Sequence, residues 1–161
     1  MAHELRALIA DKTRLKEMMD GLGSAEVLDL YEDLGIVPLT KDLLSEIDSK
    51  DPGKGKPVFP DLSVSPALAD RARDGSASGP VAYVETDYRK GRDHQAGVVW
   101  SESEISVGPL SDDTGWDPRE SPLQDRPVNE ILRALDVPAG DSGDEWDTAG
   151  LSRHRRTEEW I

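Results

Sequence analysis

The stretch VAYVETDY, residues 81–88, decides the fold class, because its β-branched and aromatic residues read as a strand. KGRD, residues 90–93, supplies a turn, and QAGVVW, residues 95–100, is the returning strand. EISVG, residues 104–108, follows the short SES link as a third strand. Strands so closely joined predict an antiparallel meander, which needs a second layer on one face to be stable. Along the first strand Tyr83, Glu85 and Asp87 fall on one face, and Ala82, Val84, Thr86 and Tyr88 on the other. One polar and one apolar face is the pattern of a half-exposed sheet.

Upstream, residues 3–19 place Leu5, Leu8, Ile9, Leu15, Met18 and Met19 at spacings of three, four and seven, which predicts an amphipathic helix stopped by Gly21 and Gly23. Ser24 is positioned to cap a second helix over residues 25–34, with Val27, Leu28, Tyr31 and Leu34 on one face and Gly35 at its end. IVPL, residues 36–39, reads as extended, since a residue before proline is pushed from helical dihedrals. Thr40 can cap a third helix through Leu43, Leu44 and Ile47. Residues 48–66 carry glycine and proline clusters and read as a surface loop anchored by Phe59; residues 67–73 form a further short helix.

Downstream the composition changes. Residues 109–147 hold eleven acids against three bases. Within them Val128, Ile131, Leu132 and Leu135 mark a helix with Pro127 in its first turn. At the tail, Thr157 with Glu158 and Glu159 reads as a helix start that turns Trp160 inward. The expectation is one α+β domain over residues 1–161. It comprises a helical part (3–47), a loop (48–66) and an antiparallel β-meander (81–108) packed by the N-terminal helices. An acidic loop and a short C-terminal helical clasp (109–161) complete it.

Composition removes several function classes. The chain has 161 residues, with 33 Asp and Glu against 19 Lys and Arg, a net charge of −14. Affinity for nucleic acid backbone comes mainly from Lys and Arg, so no nucleic-acid partner is expected, and anionic membranes are disfavoured for the same reason. With no cysteine there is no disulfide, thiolate zinc site, iron–sulfur cluster or thiol nucleophile. No stretch has the length and apolarity of a signal-peptide core or a membrane helix, and a cytoplasmic location is expected. Asp (20) exceeds Glu (13) and Arg (12) exceeds Lys (7), so part of the acidity could be compositional background that speaks to solubility before partners.

Three constellations could carry chemistry. Glu85 and Asp87, with Asp93 and His94 across the turn, could hold a divalent cation or act as an acid–base pair. The plainer reading is a solvated strand face balanced by Arg89, Lys90 and Arg92, and a partner-binding face lies between the two. Arg153, His154, Arg155 and Arg156 could grip a phosphate or carboxylate, though the acids Asp141, Asp144, Glu145 and Asp147 can neutralise them internally. The acidic segment could imitate DNA phosphates or complement a basic partner, and the irregular spacing of its carboxylates favours the second over mimicry. Among its tryptophans, Trp116, with Asp112, Asp113, Asp117 and Glu120 around it, is the best candidate for an exposed interface anchor. No phosphate-binding glycine loop, paired-histidine metal motif or serine-nucleophile elbow occurs, and no cofactor is expected.

The residues Tyr83, Glu85, Tyr88, Gly91, Gln95 and Trp100, then Asn129, then Asp144, Glu145, Asp147, Gly150, Leu151, His154, Arg155, Thr157, Glu158 and Trp160 form a pattern that resembles a group of small acidic actinobacterial proteins. The likeness covers the C-terminal half well and the first third loosely, through Val37, Pro38, Leu39 and Thr40; Arg89-Lys90-Gly91 stands where that pattern has a glycine pair. The resemblance implies no activity. Size, acidity and the lack of a catalytic motif are similar to those of toxin-immunity proteins, an analogy of kind rather than of site. The function expected is therefore a non-enzymatic cytosolic protein that binds a basic protein, of immunity or inhibitor type. The alternatives are an enzyme or metal-dependent activity at Glu85, Asp87 and His94, and a DNA mimic.

Overall fold

The computed structural model describes residues 3–50, 64–89, 92–112, 127–137, 149–151 and 156–160. Among them six strands form one antiparallel sheet in the order β2-β3-β1-β4-β5-β6. The strands are β1 (His3–Asp11), β2 (Leu28–Tyr31), β3 (Leu34–Pro38), β4 (Val81–Arg89), β5 (Arg92–Ser101) and β6 (Glu104–Asp112). Helices α1 (Lys12–Met18), α2 (Lys41–Lys50) and α3 (Pro66–Gly75) cover one face, and α4 (Pro127–Ala134) lies against the other. The fold is α+β, and β4, β5 and β6 are the meander foreseen from residues 81–108.

The N-terminal third departs from its helical reading. Residues 3–11 are β1, and the sheet builds around it: β3 pairs on one side and β4 on the other. The strand escaped recognition because both its faces are buried. Leu8 and Ala10 enter the core under α1, α2 and α3, while Leu5, Ala7 and Ile9 enter the core under α4. A strand apolar on both sides loses the period of two, and Leu5, Leu8 and Ile9 then imitate a helical stripe. Only Lys12–Met18 is helix, started by Asp11, whose carboxylate accepts from the Thr13 N–H at 2.9 Å.

The helix expected at 25–34 is instead the β2–β3 hairpin, with Glu32 in the left-handed region at its turn. Gly35 lies inside β3 rather than at a helix end. A Cβ there would stand 2.7 Å from Lys12 Cγ and 3.0 Å from the Leu28 carbonyl oxygen, so the glycine lets α1 start close against the hairpin.

The other helices follow their sequence signals. Thr40 Oγ1 accepts from the Leu43 N–H at 3.2 Å to cap α2, which extends through Lys50 into the segment read as loop. Ser65 does the same for α3, with Pro66 at its first position. On the opposite face α4 sits directly on β5: the Gln95 side-chain oxygen accepts from the Val128 N–H at 3.1 Å, and Ile131 fills the space over Gly97. A Cβ at Gly97 would meet the Tyr83 carbonyl oxygen at 2.7 Å and Ile131 Cγ1 at 2.9 Å.

The C-terminal clasp forms as a 3-10 helix, Thr157–Trp160, with Trp160 buried in the α4-side core. Arg156 makes a parallel bridge to Glu4, and the Thr157 hydroxyl both accepts from the Arg6 N–H (3.1 Å) and donates to the Glu4 carbonyl (3.4 Å). β3 ends at Pro38, so this tail takes over as the neighbour of the N-terminal half of β1. No helix among the described residues is long and apolar enough to cross a membrane.

Candidate functional site

Parity along β4 sends Tyr83, Glu85 and Asp87 to one face, as the sequence pattern requires, and on β5 it sends His94 to the same face as Ala96, Val98 and Trp100. The reading of Glu85 as part of a solvated strand face does not hold. Tyr83 belongs to the core shared with α1, α2 and α3 and is fully buried; Glu85 is 7% exposed and His94 5%. Asp87, two residues nearer the strand end, is half-buried.

The three buried groups are joined. The Tyr83 hydroxyl donates to Glu85 Oε1 at 3.0 Å, and His94 Nε2 lies 2.9 Å from Glu85 Oε2. With Glu85 ionised, Nε2 is the protonated ring nitrogen and donates, which leaves Nδ1 as the second ring position. Burial pushes the Tyr83 hydroxyl well above the usual phenol range, and the Glu85 charge adds to the rise; the Arg6 guanidinium on β1 opposes it. Tyr83 therefore stays protonated and serves as a donor. It was part of the polar face in the sequence but carried no role there, and a Tyr two residues before a Glu on a strand was the available signal.

These groups are arranged around one another rather than around an empty centre. Glu85 and His94 come together, whereas Asp87 is the register partner of His94 on the neighbouring strand. Among the described residues no three His, Asp or Glu side chains gather closely enough to hold a metal ion. A cleft of about 600 Å³ opens at the end of β1 and β4, walled by Glu4, Arg6, Lys41, Asp87, Arg156 and Glu158. Three acids and three bases in one wall select no single sign of ligand, and none of Tyr83, Glu85 and His94 lines it.

The sheet edges differ from each other. β2 is four residues long, and its Asp29 takes a 2.9 Å hydrogen bond from Lys12 Nζ that lowers the Asp29 carboxyl and raises the Lys12 ammonium. β6 spans nine residues, and Glu102, Ser103, Glu104, Ile105 and Ser106 are all exposed at its start. Ile105, 46% exposed, is the one large hydrophobic exposed among the described residues. Asp112, one of the residues proposed around Trp116, is the last residue of β6. Trp116, Asp113, Asp117 and Glu120 lie outside the described residues, as do Asp141, Asp144, Glu145, Asp147, Arg153, His154 and Arg155.

No family profile matches the chain, and no curated protein or solved structure is significantly similar to it.

Proposed function

We propose that this chain is a non-enzymatic protein of the cytosol that binds a basic protein partner, in the manner of an immunity or inhibitor protein. The observation that carries the reading is β6. Among the described residues it is a sheet edge with an exposed Ile105 next to the exposed Glu104, and its last four residues begin the segment that holds −8 of the net −14 charge. An exposed apolar side chain offers a partner an anchor point, and an acidic field steers a basic partner toward it. Pull-down at low and high salt tests the reading. Capture of a basic protein at about 0.05 M salt that is lost by about 1 M, where screening shortens the Debye length to about 3 Å, supports it. Capture of nothing at either, or capture indifferent to salt, counts against it.

The bonded Glu85–His94 pair favours a second reading, in which Glu85 orients His94 as an acid–base group or the two alone bind a divalent ion. Elemental analysis and thermal shift with divalent ions test it, using Glu85→Gln and Asp87→Asn. If both variants respond to ions as the parent does, the second reading falls.

A further inference from the structure

The geometry points to strand addition at β6: residues Glu104–Val107 form a docking edge for an extended basic segment of the partner, an inference that rests on the protein-binding reading above. β5 pairs with one side of β6, and among the described residues nothing pairs with the other. Such an edge is a row of backbone donors and acceptors ready for another strand. Successive residues of a strand face opposite ways, so the unbroken exposure of residues 104–106 leaves both faces of the start of β6 open, while Val107 and Leu110 further along pack against the α4-side core. An added strand would therefore find both faces open along Glu104–Ser106.

The edge also selects its occupant. Exposed β-edges are commonly guarded by lysine, yet residues 101–112 contain no base, and the exposed charges at the start of β6 are Glu102 and Glu104. A second copy of this chain would bring acids against acids across the new ladder. A strand that alternates Lys or Arg with apolar residues would pair its cations with Glu104 and cover Ile105. The docking length is short because Gly108 takes φ +87° and Pro109 has no N–H to offer. Four residues of edge, with specificity from one apolar contact and flanking charge, suit a partner whose main hold is electrostatic.

The test uses an eight-residue peptide of alternating Lys and Val, and a second of the same sequence N-methylated at every backbone nitrogen, which keeps side chains and charge but removes the donors. Strand addition predicts that the first peptide binds the full chain, slows amide exchange at residues 104–107, and weakens at least tenfold on N-methylation and on Ile105→Lys. Equal binding of the two peptides, or protection that falls elsewhere, overturns strand addition while leaving the salt-dependent capture of a basic protein intact. Binding of neither peptide at low salt also overturns it. The protein-binding reading itself stands or falls on the pull-down.

Discussion

Glu85 and His94 are bonded diagonally across the β4–β5 ladder: Glu85 stands opposite Ala96 and His94 opposite Asp87, yet the two side chains close to 2.9 Å. Diagonal neighbours on one strand face are within reach of long side chains, and here the small Ala96 leaves Glu85 room to lean. The pair is buried, and a buried polar group that loses its partner carries the full cost of its desolvation.

Glu85→Ala should therefore destabilise the fold by about 2–4 kcal/mol, since it removes the acceptor of both Tyr83 and His94. Urea denaturation of Glu85→Ala, His94→Ala and the double variant measures their coupling. An interaction energy of about 1–3 kcal/mol is expected, and strict additivity would show that the bond contributes nothing.

Tyr83 makes the protein sensitive to alkali. Its phenol is raised in the folded state, so below the unfolded value of about 10 both states are protonated and the stability is intact. Above about pH 10 the unfolded chain ionises and the folded chain resists, so stability falls as pH rises. Tyr83→Phe should flatten that decline, and native parent and variant should give the same tyrosinate absorbance until the parent unfolds.

Gly97→Ala should cost about 2–3 kcal/mol by overpacking, because its Cβ would press on the Tyr83 carbonyl oxygen as well as on Ile131. Ile131→Val in the same chain should not restore stability, since the contact with backbone oxygen remains. Thermal melts of the single and double variants check both statements.

Thr157→Val removes an acceptor from the Arg6 N–H and a donor from the Glu4 carbonyl. A loss of about 1–2 kcal/mol is expected, with amide exchange at Arg6 accelerated at least tenfold. Thr157→Ser should restore protection, and a Ser variant that exchanges as fast as the Val variant would assign the effect to packing.

Strands β4 to β6 were legible because their residue types, alternation and short links agree. β1 was not, since burial on both faces erases the alternation that marks a strand, and the cover on its second face comes from residues over a hundred positions away. In the β2–β3 hairpin, Val27, Leu28, Tyr31 and Leu34 happen to fall at helical spacing, and Gly35 passes for a helix stop. At the candidate site, parity placed Tyr83, Glu85 and Asp87 on one face correctly. What parity could not give is burial: that Glu85 lies inside depends on β4 being a central strand flanked by β1 and β5, and β1 was hidden in the sequence. The edge character of β6 was equally hidden, because a sequence shows that a strand exists but not whether a neighbour follows it.

The tail that completes β1 sets an order on assembly. Thr157 meets Arg6 over a separation of 151 residues and Glu4 over 153. During synthesis at about 5–20 residues per second, the first strand leaves the ribosome roughly 8–30 s before the threonine that satisfies its backbone. For about the first half of that interval the start of β1 has no partner strand, and once β4 is made it is paired on one side only, open to premature pairing on the other. The domain can acquire most of its sheet while it is being made, but the seam at Glu4 and Arg6 is closed last.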